Sequence, residues 1–192
     1  MASYKIILLD SDVISHFLVA GQLGRLEEVL SPNKLFVVEN VYKEAIKHPT
    51  DEKRKEKIDA WLRSGKVIKI PFHFNNEKVK LEFFRLKKER PLLGEGERAC
   101  LSMARYGKEI VASSNFRDVK EYAEANDIEY LGCLDILYIA WKRGRFSLLD
   151  CNIFITDTIR ENRARFPVSR MEEYIPDRDL SSYIITSEQI GG

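Results

Sequence analysis

Four acids sit where a solvent-facing charge is not expected: Asp10, Glu44, Glu97 and Asp118. The run Ile6 to Leu9 is continuously apolar, which predicts a strand buried on both faces, and it leads straight into Asp10 and Asp12. A buried carboxylate is costly unless something pairs with it. The carboxyl end of such a strand, however, opens onto the crevice where parallel α/β sheets hold ligands. The alternative is structural, with Asp12 capping the next helix and Asp10 a turn residue. In VVENVYKEAIKH, Glu44 shares a helix face with Val41 and Ala45, while Lys43 and Lys47 face away. In GEGERACLSMA, Glu97 shares a face with Cys100, Leu101 and Ala104, and the small residues Ala99, Cys100 and Ala104 let that helix approach the sheet. Glu95 falls before that helix or in its first turn, where any acid suits the helix dipole. For Glu44 and Glu97, too, a helix-terminal or interfacial charge is the alternative role. Asp118 follows the apolar run EIVAS in SSNFRDV and falls in a first helical turn. If KIILL lies beside EIVAS, Asp118 and Asp10 converge, with Ser113 and Asn115 as neutral oxygen donors.

Crowded carboxylates repel one another unless a cation sits between them. Oxygen-only ligands suit Mg²⁺ or Mn²⁺ rather than zinc. Such an ion clamps a phosphate, activates water and stabilises the leaving oxygen of a phosphodiester. Between residues 41 and 90 there are 15 Lys and Arg against 8 Asp and Glu, although the whole chain carries only +1. That excess can serve phosphate contacts or form a solvated face.

The acids need a scaffold. KIILL, KLFVV, KVIKI, EIVAS and IEYLG are each followed by a helical pattern. This alternation predicts an α/β protein with a mainly parallel sheet and helices on both faces. Helical patterns run from about residue 51 to 64, through NNEKVKLEFFRLKKER until Pro91, through GEGERACLSMARYG, NFRDVKEYAEAND and CLDILYIAWKRG, and from about 149 to 165. Beyond Pro167 the pattern thins. SSYIITS reads as a short edge strand or a docking tail, so the expected division is a domain over residues 1–166 and a tail over 167–192. With 192 residues one domain is the simplest organisation. No stretch approaches a membrane span, and Asp10 interrupts the N-terminal apolar run too early for a signal peptide. Cys100, Cys133 and Cys151 lack metal-site spacing and read as reduced thiols of a cytoplasmic protein, while His16, His48 and His73 are too scattered for a histidine metal site.

With these residues in view, the chain resembles the PIN-domain family, the nuclease fold of many VapC-type toxins. LLDSDVISHF is similar to the family's first strand, where the strand-ending Asp is followed by a small polar residue, here Ser11, and then by Asn or Asp, here Asp12. VVENVYKEAI resembles the element that carries the second acid, mapping it to Glu44. GEGERACLSMARYG resembles the GE-plus-alanines helix, mapping its acid to Glu97. SSNFRDV is similar to a TRNxxDF stretch, mapping the fourth acid to Asp118. IEYLGCLDILYIAWKRG resembles the closing strand and helix of a subgroup known mainly from genome surveys. The resemblance spans about Lys5 to Arg165. It implies an α/β/α sandwich of about five strands. It further implies a Mg²⁺- or Mn²⁺-dependent endoribonuclease that uses Asp10, Glu44, Glu97 and Asp118, with the metal on Asp10, Glu97 and Asp118. RNA as substrate, an antitoxin partner and a homodimer are implied with it. Many relatives place an Asp where this chain has Ser114 or Asn115, and Asp135, in GCLD, is the next candidate for the fourth ligand or else an N-terminal helix acid. Two alternatives stand beside this reading. One is a catalytically inactive PIN-like module that binds RNA or acts as a scaffold. The other is a HAD-type phosphatase, because DSDVI resembles DxDxT, although Ile14 stands where Thr or Val is expected.

Overall fold

The computed structural model describes residues 4–47, 51 and 53–184, the side chains of 116 and 117 excepted. Its centre is one parallel sheet in the order β3-β2-β1-β4-β5, formed by β1 (Ile6–Leu9), β2 (Lys34–Val38), β3 (Val67–Ile70), β4 (Ile110–Ala112) and β5 (Tyr130–Leu131). Successive residues of a strand point to opposite faces. Ile7, Leu8 and Leu9 are all fully buried, so both faces of β1 are covered. The fold is the α/β/α sandwich expected from the alternation of strands and helices, and each of the five predicted strands is present.

Between the strands lie α1 (Ser11–Val19), α2 (Leu26–Leu30), α3 (Glu39–Ala45), α4 (Arg54–Arg63), α5 (Glu77–Glu89), α6 (Glu95–Gly107) and α7 (Phe116–Ala125), and α8 (Cys133–Lys142) and α9 (Leu148–Asn162) follow β5. The starts of several follow from caps. Asn76 accepts the backbone N–H groups of Lys78 and Val79 to begin α5, and Ser147 accepts that of Asp150 to begin α9. Chain order and sheet order diverge at β1. The chain goes from β1 to β2 on one side, and β4 returns to the other side, so the carboxyl ends of β1 and β4 flank a topological switch point. Asp10 sits there. No helix among the described residues is long and apolar enough to cross a membrane.

The segment after α9 packs onto the sheet's β5 end. Met171 and Leu180 are buried, and Asn152 of α9 accepts the Met171 N–H at 2.7 Å. Tyr174 donates its hydroxyl to Asp135 at 2.6 Å, while Arg178 reaches the Tyr130 carbonyl at 2.8 Å and lies over the Tyr130 ring. The edge strand expected in SSYIITS is corrected for its first four residues: Ser181–Ile184 form a helical turn, α10. Asp179 accepts the Ser181 N–H at 2.8 Å, a local cap that starts a helix in place of a strand. Residues 185–187, the rest of that expected strand, lie outside the described residues.

Asp135 is the buried anchor of this segment. Removing its carboxylate strands the Tyr174 hydroxyl and the Gly132 N–H, so Asp135→Ala should cost about 3 kcal/mol in urea unfolding. Tyr174→Phe should cost about 1 kcal/mol alone and almost nothing in the Asp135→Ala background. Full additivity of the two changes would show that the contact does not hold the segment.

Candidate active site

Asp10 is fixed by backbone on both sides. Its N–H donates to the Ala112 carbonyl at 2.9 Å, and its own carbonyl accepts from Ile14 as the first bond of α1. Asp10 is therefore the N-cap residue of α1, and Asp12 lies one step inside that helix, so the capping alternative for Asp12 does not hold. The Asp10 side chain makes no cap bond and turns into the crevice instead. Its Oδ2 accepts the Ser113 hydroxyl at 3.1 Å, and its Oδ1 is buried with no partner.

Glu97 meets the same serine. Its Oε1 lies 3.5 Å from Ser113 Oγ, and its Oε2 accepts the Gly94 N–H at 3.0 Å. One hydroxyl proton serves two carboxylates, so Asp10 and Glu97 are held close without enough donors to satisfy both. Burial pushes the Asp10 carboxyl well above the usual carboxylate range, and the charges of Glu97 and Asp12 push the same way. Burial raises Glu97 as well, against the pull of the Gly94 N–H and the Asn115 side chain.

Glu44 stands beside the pair on α3. Its Oε1 accepts the Glu95 N–H at 2.8 Å, and its Oε2 faces the Ser11 hydroxyl at 3.4 Å. Gly96 makes this possible: a Cβ there would lie 2.6 Å from Glu44 Oε2 and 3.1 Å from the Val41 Cα. The Gly-Glu-Gly-Glu pattern thus reports a close crossing of α3 and α6, a signal present in the sequence but not read from it. Glu95 is exposed and accepts from Asn40 at 2.7 Å.

Five of the residues singled out from the sequence therefore surround Asp10: Ser11, Glu44, Glu97, Ser113 and Asn115, whose N–H donates to Ser113 Oγ at 3.2 Å. Asp12 and Asp118 line the adjoining cleft. Loss of solvent and the charge of Glu44 raise the Asp12 carboxyl, and Arg54 opposes them. Among the described residues, the Asp118 carboxylate is hydrogen-bonded to neither Asp10 nor Glu97. Asp135 is excluded from the crevice. It is fully buried, caps α8 through the Gly132 N–H at 2.7 Å and faces Tyr174 and Arg178. Arg85, one of the cations in the basic stretch between residues 41 and 90, is committed to Glu82 and Glu89.

The donor set tests the expected ion. It consists of carboxylate and hydroxyl oxygens, it includes an orphaned Asp10 Oδ1, and its acids are strained by mutual charge, all of which suit a hard divalent cation. Among the described residues no three acid, histidine or cysteine side chains form a ready-made cage. Mg²⁺ does not need one, because it commonly keeps several waters and takes only one or two carboxylates.

Fold and site together define an α/β protein with an acidic crevice at the switch point of its sheet. The PIN-domain profile matches residues 6–176, and the chain belongs to that family. No curated protein matches the chain. Among solved structures, VapBC2 from Rickettsia felis, bound to a DNA fragment from its promoter, is similar at 16% identity and a TM-score of 0.50, over 66% of this chain and 98% of that one. VapBC-1 from nontypeable Haemophilus influenzae shares 21% identity at a TM-score of 0.45, over 67% and 98%. Each likeness leaves about a third of this chain uncovered.

Two measurements follow from this geometry. Gly96→Ala should destabilise the protein by about 2 kcal/mol because α3 and α6 must part. Gly24→Ala, where a Cβ meets nothing within 4 Å, should stay within about 0.5 kcal/mol. Equal effects of the two would refute the close crossing. The second concerns His16, whose Nδ1 lies 3.0 Å from Ser114 Oγ and whose pKa burial lowers to about 4. An unfolded chain protonates histidine near pH 6.5, so the stability due to neutral His16 is complete above that pH and is lost as pH falls towards 4. The stability gap between wild type and His16→Gln in urea should narrow by about 2 kcal/mol between about pH 7 and pH 4.5. A gap independent of pH would mean that the imidazole titrates alike in both states.

Proposed function

We propose that the chain is a divalent-metal-dependent endoribonuclease that hydrolyses phosphodiester bonds of RNA, with Mg²⁺ or Mn²⁺ as cofactor. The observation that carries this reading is the buried pair Asp10 and Glu97 on one serine hydroxyl, with Asp10 Oδ1 unpartnered. Membership of the PIN-domain family supports it and displaces the phosphatase alternative for DSDVI.

In this reading Asp10 and Glu97 hold the ion, and Asp118 joins them from the cleft. When bound, the ion polarises the phosphodiester and lowers the pKa of an attacking water. The chain supplies the rest. Ser113 and the Gly94 N–H fix the two acids in their rotamers, and burial excludes competing water from them. Glu44, anchored by Ser11 and the Glu95 N–H, keeps a further carboxylate beside the pair. Asn115 supports Ser113 from below through its N–H. VapBC relatives further suggest a toxin restrained by an antitoxin, and we extend that partner, a homodimer and a cytoplasmic setting to this chain as part of the same proposal.

One observation favours a second reading. Asn115 is the N-cap residue of α7 where the family resemblance expects an acid, and among the described residues Asp118 is hydrogen-bonded to neither acid of the pair, so a catalytically silent RNA-binding or scaffold module is the alternative.

The two readings separate in one assay. The purified protein should cleave single-stranded RNA with Mg²⁺ or Mn²⁺ and stop on addition of EDTA. Asp10→Asn and Glu97→Gln should each lower cleavage by about a hundredfold or more while, in EDTA, their melting temperatures stay level or rise, because repulsion is relieved. Cleavage that persists in EDTA, or in either variant, contradicts the proposal. No cleavage with any divalent ion favours the silent module.

A further inference from the structure

The cleft beside the acids is large, about 1020 Å³, far more than an ion and its waters occupy. Ser113, Asn115 and Asp118 form one wall. The stretch that follows α9 walls the same space with Arg163, Arg165 and Phe166. Arg163 adopts a left-handed conformation (φ 53°), which ends α9 and turns the chain along the cleft. From there exposure alternates: Arg163 and Arg165 are exposed, and Ala164 and Phe166 are half-buried.

These arginines differ from others in the molecule. Arg85, Arg105, Arg160 and Arg178 are each paired with acids. The guanidinium groups of Arg163 and Arg165 have no hydrogen-bond or ion-pair partner among the described residues. Next to them, Phe166 sets its ring against His16 at a centroid distance of 5.7 Å and remains partly open. Ile175, 85% exposed, continues the same wall. The wall is not a loose flap, since Tyr174 is tied to Asp135 immediately beside Ile175. Unpaired cations beside an aromatic face and an exposed aliphatic, on a fixed wall of a cleft that runs to Ser113, the serine shared by Asp10 and Glu97, fit a ligand that is both anionic and ring-bearing.

We propose that this wall is the strand-binding surface for single-stranded RNA, with Arg163 and Arg165 on backbone phosphates and an unpaired base against Phe166 and Ile175. This assignment rests on the nuclease reading and deepens it: the cleft runs on to Ser113, so a strand held on the wall brings a phosphate towards Asp10. The cations for the strand's phosphates then come from the chain's C-terminal segment, while Arg85 of α5 is committed to Glu82 and Glu89. Stacking on an aromatic ring accepts any base, and a base that is paired in a duplex cannot turn towards Phe166. An acidic peptide would satisfy the arginines and leave the ring and Ile175 uncovered, which is why a nucleic-acid strand is the better fit.

The test is binding in EDTA, read by fluorescence anisotropy with a 5′-fluorescein single-stranded oligoribonucleotide of mixed sequence and with its duplex, on the full chain. The double variant Arg163→Gln/Arg165→Gln should weaken single-strand binding about tenfold or more and reduce the salt slope by about 1.4, at roughly 0.7 per lost phosphate contact. Phe166→Leu keeps apolar volume and should weaken the same binding by about tenfold, with Phe166→Tyr restoring it. Duplex RNA should bind wild type more weakly than the single strand. Unchanged affinity and salt slope in the arginine variant overturn the assignment, as does equal binding of duplex. So does displacement of the oligonucleotide by a poly-glutamate peptide at comparable concentration. If the arginine variant binds normally while Asp10→Asn still abolishes cleavage, the cleft assignment fails and the nuclease reading stands. If the arginines and Phe166 govern binding while wild type never cleaves with any divalent ion, the assignment stands and the nuclease reading fails.

Discussion

Two carboxylates share one hydroxyl proton at the centre of this molecule, and much of the surrounding architecture serves to keep them there. Asp10 is pinned by a strand bond to Ala112 on one side and a helix bond to Ile14 on the other. Glu97 is pinned through the Gly94 N–H, and Ser113 stands between them at the end of β4. Each acid is buried, so neither can lower its energy by turning to bulk water. A protein selected for stability alone would replace such a pair by apolar residues at little cost. Two buried acids with one oxygen left without a hydrogen-bond donor are the physical argument for a cation between them.

The constraint reaches outward. Bringing Glu44 to the pair requires α3 and α6 to cross closely, and Gly96 is the residue that permits it. The narrow, small-residue face of α6 against the sheet, with Ala99 and Cys100 fully buried, sets the depth of Glu97. On the other side, Asp135 fixes Tyr174 and hence the segment that walls the cleft. Two first-turn acids after neighbouring strands, Asp118 and Asp135, thus have opposite fates: one lines open space and the other is the buried anchor of the C-terminal segment.

That contrast also marks what the sequence can say. The uninterrupted apolar run before Asp10, and the acids on apolar helix faces at 44 and 97, are local patterns, and they were enough to anticipate the sheet and the crevice. Asp118 and Asp135 look alike locally, because the difference lies in Tyr174 and Arg178, some forty residues further on. The helical turn at Ser181 was missed for a smaller reason, since the carboxylate of Asp179 outweighs the strand preference of four residues. Arg163 and Arg165 gave no signal at all. They follow a helix end, where arginines are common, and only the packing of the segment after α9 brings them into the cleft beside Ser113.

The central claim, that the Asp10 and Glu97 pair binds a divalent cation, is tested most directly by melting the metal-free protein in EDTA and again in millimolar Mn²⁺. An ion that binds the folded state alone raises the melting temperature by mass action. The account predicts a clear rise in the wild type and none in Asp10→Asn. No shift in the wild type, or the same shift in both proteins, would contradict it.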